Sequence, residues 1–359
     1  MVADPPPPAK AAPCTWLLLG AKPGDNGQVL ALAEALGWPF EAKRMAYRPT
    51  ELLTNRLLGV TLLGLDPARS SPLEPPWPEL VITAGRRNEP VARWIRRQAG
   101  GRDRVKLVHI GRPWAPLDEF DLIVTTPQYA LPERPPVLHT EAPMHRINAG
   151  RLAEAALAWR DRLKALPEPW IAVMLGGHVG RWTFDVPAGR ELAERVNRMA
   201  EASGGSLLVS TSARTPADVV EAFVGALRVP HHLYRWRRDD PDNPYFAFLA
   251  LAQQIVVTSD SMSMLVEAIA TGKPVHIFDL ATAAHARSWQ LPNGRAIVWW
   301  LGRWFGPRQL LRNVTAIHQG QVAAGRAVWL GEPWPADHKS VPLSDTGRAA
   351  AAVRALLGR

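Results

Sequence analysis

The chain has 359 residues, 47% hydrophobic and 21% charged, which suits a folded globular protein rather than a disordered or fibrous one, at a length beyond what one hydrophobic core usually serves. A formal charge of +9, mostly arginine, raises phosphorylated ligands, anionic lipid headgroups and nucleic acid as partners without choosing among them, and compositional bias accounts for much of it. No stretch approaches the roughly 18–20 apolar residues of a membrane span, no charged-then-apolar leader opens the chain, and the lone Cys14 leaves no internal disulfide, so a reducing, cytoplasmic setting, at most peripheral to the inner face of a membrane, is the expectation.

Residues 1–13 are a leading tail in which Pro5, Pro6, Pro7 and Pro8 can enter neither a sheet nor a helix interior, so disorder is expected there. An apolar strand follows at 16–20, then the polar turn Lys22-Pro23-Gly24-Asp25-Asn26-Gly27, then a helix over 28–36 closed by Gly37. Strand, loop and helix recur at 80–83, 84–87 and 90–98, with further strands at 107–110 and 122–125. Residues 14–166 thus read as a first domain, ending in a helix over 151–166 and the breakers Pro167 and Pro169.

Residues 167–335 repeat the scheme. Strands are predicted at 170–175, 206–210, 255–258 and 275–278, and helices at 189–203, 217–227, 245–252 and 263–271. A glycine loop, Gly176-Gly177-His178-Val179-Gly180, follows the first of these strands. Residues 336–359 form a C-terminal segment whose alanine-rich helix, 346–357, could pack on either half. Short buried strands alternating with helices imply parallel sheets covered on both faces. The predicted fold class is therefore α/β, two Rossmann-like doubly wound domains whose loops, at the carboxyl ends of the strands, could face one cleft.

The most informative segment runs from 255 to 278. An apolar strand ends in Thr258-Ser259-Asp260-Ser261, a helix begins near Ser261, and Gly272 closes it before Lys273-Pro274. Hydroxyls from Ser259, Ser261 and Ser263 beside free helix N–H groups suit a diphosphate, although Ser261 alone is equally read as an N-cap. Glu267 lies six residues after Ser261, too far for a capping box, whose glutamate stands three after the cap. A carboxylate at that depth can accept both hydroxyls of a ribose.

This segment resembles the nucleotide-sugar signature of GT-B transferases, such as the family that adds N-acetylglucosamine to lipid-linked muramyl pentapeptide. It is still more similar to the family named after plant mitochondrial-fission (elongated mitochondria) proteins and their bacterial relatives. That second resemblance rests on Thr258 to Met264 with Glu267 and Gly272-Lys273-Pro274, on Thr83-Ala84-Gly85-Arg86-Arg87, on Thr211-Ser212-Ala213-Arg214-Thr215-Pro216, and on Asp242-Asn243-Pro244-Tyr245. It implies a GT-B fold with the donor nucleotide on the second domain and the acceptor on the first. Gly176 and Gly177 resemble the glycine loop that opens such donor domains, where backbone N–H groups approach phosphate, though a plain tight turn fits them too.

Ser212 and Arg214 offer a hydroxyl and a guanidinium to the same anion. With Asp240-Pro241-Asp242 read as a turn rather than a metal site, arginine and helix dipoles must offset the charge of a leaving diphosphate. In the first domain Gly24, Asp25 and Asn26 occupy a loop where a base or an acceptor site is expected. Asp25 could take a proton from an attacking hydroxyl, or serve as an Asx-turn or cap. Arg86 and Arg87, adjacent at a strand end, must be solvated or bind an anion. His109 and His178 could titrate near neutrality. Most of the fifteen tryptophans, Trp299, Trp300 and Trp304 among them, are expected to pack under helices or at a domain junction.

The leading expectation is metal-independent, cofactor-free sugar transfer from a nucleotide-diphosphate donor to an acceptor such as a cell-envelope glycolipid. The alternatives are a non-catalytic relative acting through a partner or an anionic membrane surface, and a nucleotide-sugar epimerase or hydrolase. The sequence lacks a Gly-x-Ser-x-Gly elbow, a Walker loop and a His-Glu-x-x-His pair, and it has no RNA- or DNA-binding signature, so no nucleic-acid partner is expected.

Overall fold

The computed structural model describes residues 11–48, 59–178, 183–282, 314–335 and 343–359; most of the leading tail and Trp299, Trp300 and Trp304 lie outside them. The chain divides into two units, Met1–Arg146 with Ser344–Arg359, and Ile147–Leu343.

The first unit is a six-stranded sheet in the order β2-β1-β3-β4-β5-β6. Its strands are β1 Thr15–Leu19, β2 Glu41–Arg44, β3 Leu80–Ala84, β4 Lys106–Ile110, β5 Leu122–Thr125 and β6 Val137–His139, all pairing in parallel. Parallel pairing needs a crossover after each strand, which buries both faces; accordingly all five residues of β3 are buried. The chain steps from β1 outward to β2 and then back past β1 to β3, so the strand order reverses between β1 and β3. Helix α1, Pro23–Leu36, starts five residues before the predicted Gln28 and ends at Gly37 with φ 69°. Proline at the first helical position has no N–H to lose and a preset φ, so the polar stretch expected as a loop is a helical turn. Helix α2 is Glu89–Gln98.

The C-terminal helix, Asp345–Leu356, belongs to this first unit. Ala349, Ala350 and Val353 are buried with Leu32 and Leu36. Arg354 Nη2 donates to the last carbonyls of α1, Ala35 O at 2.9 Å and Leu36 O at 3.1 Å, and Asp345 Oδ2 accepts from the N–H groups of Glu141 at 3.1 Å and Ala142 at 3.0 Å.

The second unit carries the order β12-β11-β10-β7-β8-β9. Its helices are α3 Ala149–Leu163, α4 Val186–Ser203, α5 Ala217–Gly225, α6 Tyr245–Leu251, α7 Met262–Ile269 and α8 Val314–Ala323. The strands are β7 Trp170–Leu175, β8 Ser206–Thr211, β9 His231–Tyr234, β10 Gln254–Thr258, β11 Val275–Phe278 and β12 Val328–Trp329. Along β7, Trp170, Ala172 and Met174 enter one core and Ile171, Val173 and Leu175 the other, as alternation in a sheet covered on both sides requires.

The unit boundary falls at 146/147, twenty residues before the predicted one, so α3 opens the second unit instead of closing the first. Trp159 and Leu163 on α3 are buried with Phe248 and Leu251 of α6, and the Trp159 and Phe248 rings meet edge to face at 6.2 Å. Burying two such side chains favours this packing by about 3–6 kcal/mol before entropy is counted. Pro167 and Pro169 end a helix; they do not end a domain.

Candidate functional site

In the second unit the strand order reverses between β7 and β10, the place where an open parallel sheet splits its crossovers and leaves a crevice at the strand ends. The loops after β7, β8 and β10 are knitted together there. Gly176 N donates to Thr258 Oγ1 at 2.8 Å, and Thr258 Oγ1 donates to Asp260 Oδ1 at 2.7 Å. Gly177 N donates to Asp260 Oδ2 at 2.7 Å, an oxygen that also accepts Arg214 Nη2 at 2.8 Å. Arg214 Nη1 reaches His178 O at 3.3 Å. Thr215 Oγ1, after β8, donates to Leu175 O at 2.8 Å and accepts Ser212 N at 2.8 Å.

This network already occupies the Gly176 and Gly177 N–H groups that the sequence offers to phosphate. A Cβ on Gly176 would stand 1.9 Å from Asp260 Oδ1, and one on Gly177 would stand 2.4 Å from Arg214 O. Both glycines are therefore required by the approach of the protein's own carboxylate and backbone. The anion in the glycine nest is Asp260, whose side chain has no exposure. Burial raises its pKa, while the Gly177 N–H, the Thr258 hydroxyl and Arg214 act in the opposite direction. Arg214 keeps half its side chain exposed, at 53%, and pairs with Asp260 through one nitrogen.

The hydroxyls divide into committed and uncommitted. Ser259 is buried and its Oγ accepts Leu280 N at 3.0 Å, bracing the ends of β10 and β11. Ser212 Oγ lies 3.0 Å from Thr215 Oγ1 and accepts Arg214 N at 3.3 Å. Ser261 occupies the N-cap position of α7, yet its side chain makes no capping bond, so capping does not explain the hydroxyl. Ser261 and Ser263 are half-buried. Ser263 and Glu267, four apart on α7, share a helix face.

Glu267 Oε2 accepts the Tyr245 phenol at 2.6 Å. Burial, and then the Glu267 carboxylate, push that phenol well above its ordinary range, so it stays a donor. Asn243 Oδ1 accepts Tyr245 N at 3.0 Å where α6 begins. Lys273 donates to the carbonyls at the other end of α6, Leu249 O at 2.9 Å, Ala252 O at 2.6 Å and Ala250 O. Burial draws the Lys273 ammonium down to about 8, although only the charged form has a proton for all three carbonyls. Tyr245 and Lys273 stood in the motifs, but side chains that clamp one helix leave no periodic signal.

In the first unit, Asp25, Asn26, Arg86 and Arg87 gather where the loops after β1 and β3 meet. Asn26, in the first turns of α1, accepts Gly20 N at 2.9 Å and donates to Gly20 O at 2.8 Å, tying the helix to the end of β1. Asp25 is half-buried, and its Oδ2 lies 2.9 Å from where a Cβ on Gly85 would be; Gly85 also has φ +76°. The Arg86 guanidinium lies 4.9 Å from the centroid of the Trp114 ring. Arg87 is half-buried and Gly24 exposed. Asn88 Nδ2 donates to Leu18 O at 2.9 Å and Ala84 O at 3.1 Å, and its Oδ1 accepts the Tyr47 phenol.

His109 is not the near-neutral group expected. It is fully buried, and burial pulls its pKa down to about 3, so the imidazole is neutral beside Glu89, 3.9 Å away. Glu89 itself accepts the N–H groups of Trp114 and Ala115, each at 2.9 Å. His178 Nδ1 accepts Phe184 N at 3.1 Å. Asp240 accepts the Tyr234 phenol at 2.8 Å, Arg237 Nε at 3.0 Å and Asp242 N at 3.1 Å, the contacts of a turn. Among the described residues no three His, Cys, Asp or Glu side chains gather as a metal site, and no helix is long and apolar enough to cross a membrane.

Two doubly wound Rossmann-like units, each presenting loops at the carboxyl ends of its strands, give the chain the domain composition of GT-B proteins. The family model described as "Mitochondrial fission ELM1" matches residues 23–297, and the chain belongs to that family. It is 31% identical to the mitochondrial fission protein ELM1 of Arabidopsis thaliana over 222 residues, 56% of this chain and 51% of the plant protein; it thus spans about half the length of that relative. It is 24% identical to protein RP120 of Rickettsia prowazekii (strain Madrid E) over 296 residues, 73% of this chain and 82% of that protein. Among solved structures it is similar to the UDP-GlcNAc 2-epimerase of Neisseria meningitidis bound to UDP-GlcNAc, with 12% identity, 96% and 100% of the two chains covered and a TM-score of 0.47. Another is MurG of Acinetobacter baumannii, with 13% identity, 96% and 100% coverage and a TM-score of 0.42.

Proposed function

We propose that the chain is a metal-independent glycosyltransferase that takes a nucleoside-diphosphate sugar on its second unit and delivers the sugar to a hydroxyl acceptor, such as a cell-envelope glycolipid, held by its first. The observation that carries this reading is on α7. Ser261 stands at the helix N-terminus without capping it, and Ser263 and Glu267 follow on one face. The N–H groups of the first turn with the Ser261 and Ser263 hydroxyls receive the diphosphate, and Glu267 receives the ribose.

Arg214 turns its exposed side to the leaving phosphate and takes the charge a metal ion would otherwise take. On the first unit Asp25 is the base for the acceptor hydroxyl, and Arg86 and Arg87 hold an anionic group of the acceptor. The test is a thermal-shift screen of nucleoside diphosphates and their sugars, followed by turnover assays with and without acceptor. Stabilisation by at least one nucleotide that Glu267→Ala abolishes is expected; no shift with any of them overturns the reading. Consumption of a nucleotide sugar without acceptor would assign an epimerase or hydrolase instead.

A second reading is favoured by one specific observation: the glycine nest already holds the Asp260 carboxylate. A member of the family in which that nest never receives phosphate would act through a partner or an anionic membrane surface. Vesicle binding that survives Arg214→Ala and Glu267→Ala, with no nucleotide-induced shift, is the outcome that selects it.

A further inference from the structure

We propose that Arg214 is shared between two anions, the Asp260 carboxylate and the diphosphate of the ligand. When the guanidinium turns to the diphosphate, Asp260 takes up one proton from solvent, so that ligand binding and proton binding reinforce each other. This rests on the nucleotide reading above and deepens it, naming the group that balances charge at that site.

Three loops bring the parts together. Gly177, after β7, donates its N–H to Asp260 Oδ2 at 2.7 Å, and Arg214, after β8, donates Nη2 to the same oxygen at 2.8 Å. The carboxylate has no exposure, whereas the Arg214 side chain is 53% exposed. Among the described residues its guanidinium otherwise reaches His178 O, at 3.3 Å. A guanidinium carries five N–H donors, so its outward side can meet a phosphate at the mouth of the crevice. Paired with a carboxylate, however, it is half of a neutral couple and a poor receptor for a second anion. Once it turns away, Asp260 is left buried without its counter-ion, which strongly disfavours the ionised form. One proton removes both obstacles, since it neutralises the carboxylate and leaves the whole charge of Arg214 to the diphosphate.

The network has a place for that proton. Thr258 Oγ1 accepts Gly176 N at 2.8 Å and donates to Asp260 Oδ1 at 2.7 Å, and Met174 O lies 3.5 Å from the same hydroxyl. A proton on Oδ1 is donated to Thr258 Oγ1, whose own hydrogen swings to Met174 O, while Oδ2 goes on accepting from Gly177. Burial already holds the Asp260 pKa above its ordinary value with Arg214 beside it, and Arg214 is the charged side chain that acts on it. The other elements nearby bring no second cation into contact. The loop after β7 carries His178, whose Nδ1 accepts Phe184 N; β10 ends in the uncharged Thr258 and Ser259; α7 opens with Ser261 and Met262; and Asp279, after β11, acts on His318 of α8.

The experiment titrates the full chain by calorimetry with uridine, guanosine, adenosine and cytidine diphosphates. The tightest binder is then followed over roughly pH 5 to 8 in buffers of different ionisation heat, which counts the protons exchanged. Asp260→Asn cannot take up the proton, so it subtracts the titration of the ligand's own phosphate. Wild type is expected to take up more protons than Asp260→Asn, by a difference that approaches one at its greatest. Its affinity relative to the variant is expected to fall by up to about tenfold per pH unit as pH rises through that window. Equal uptake in the two throughout the range overturns the proposal. Arg214→Ala, a truncation at a half-exposed side chain, is expected to erase the extra uptake, because the carboxylate then loses no partner on binding; extra uptake that survives it also overturns the proposal. A further measurement does not need Asp260→Asn to fold: in wild type labelled at aspartate Cγ, the titration midpoint of the Asp260 carboxyl is expected to rise on saturation with the diphosphate, and a midpoint that stays or falls refutes the exchange. If none of the four diphosphates binds wild type, the nucleotide reading itself fails and this proposal with it. If one binds without proton uptake by Asp260, only this proposal fails.

Discussion

Replacing Asp260 with alanine removes the carboxylate that joins the loops after β7, β8 and β10, and the structure sets the size of the effect. Truncation strips an acceptor from the Thr258 hydroxyl and from the Gly177 N–H, both buried, and each unsatisfied buried donor costs about 1–3 kcal/mol. Arg214, 53% exposed, turns to water and adds little. Some of the cost is returned because a buried charge is no longer held away from solvent. A net loss of about 2–3 kcal/mol follows, and about 1 kcal/mol for Asp260→Asn, which keeps an acceptor oxygen.

The loss is local to these loops, so amide hydrogen exchange at Gly177 is the direct assay. Protection is expected to fall by about two decades in Asp260→Ala, since each decade corresponds to about 1.4 kcal/mol. The pH dependence has a defined sign. Burial raises the Asp260 pKa above 3.8, so the folded state binds a proton that the unfolded chain does not. The contribution is fully present below 3.8 and is lost as pH rises through the raised value. Wild type therefore gains stability relative to Asp260→Asn as pH falls from neutrality towards 4. Unchanged Gly177 exchange in Asp260→Ala, or a gap that narrows on acidification, would refute the reasoning.

Trp159→Ala is expected to destabilise the second unit by about 3–5 kcal/mol and to leave exchange in the first unit's strands untouched, which tests the assignment of α3. Lys273→Met should cost about 2 kcal/mol in urea unfolding, because three carbonyls at the end of α6 lose an ammonium donor. Asn26→Ala should cost about 1–2 kcal/mol by releasing Gly20 from α1, read in the same assay. The ring nitrogens of His109, with a pKa near 3, should show no titration by NMR from pH 7.5 down to 4. Its folded pKa lies below the ordinary imidazole value of 6.5, so the stability it contributes is present above that value and lost as pH falls towards 3; a midpoint near 6 would contradict its burial.

Much of the architecture was legible because parallel strands are short apolar runs that glycine and proline punctuate, as at 170–175 and 255–258. The edge strands β2 and β9 escaped because they are polar or histidine-bearing, Glu-Ala-Lys-Arg and His-His-Leu-Tyr. The start of α1 was misplaced because Gly24 and Gly27 read as a turn, whereas Pro23 starts a helix whose Asn26 reaches back to Gly20. The segments at the two chain reversals stand out in the sequence as candidate sites because chemistry-bearing residues stand at strand ends. Their internal division does not. Sequence shows that Gly176, Gly177, Arg214 and Asp260 are polar or small at strand ends; only coordinates show that Asp260 fills the nest the glycines make. Tyr245 and Glu267 are twenty-two residues apart, and nothing in the spacing announces that they touch.

The central claim is that α7 receives a nucleoside diphosphate, and a crystal structure of the chain with the tightest-binding nucleoside diphosphate tests it most directly. The account predicts phosphate oxygens within hydrogen-bond distance of the first N–H groups of α7 and of the Ser261 hydroxyl, with the ribose on Glu267 and Asp260 still holding Gly177. A nucleotide bound away from Ser261 and Glu267 would contradict it.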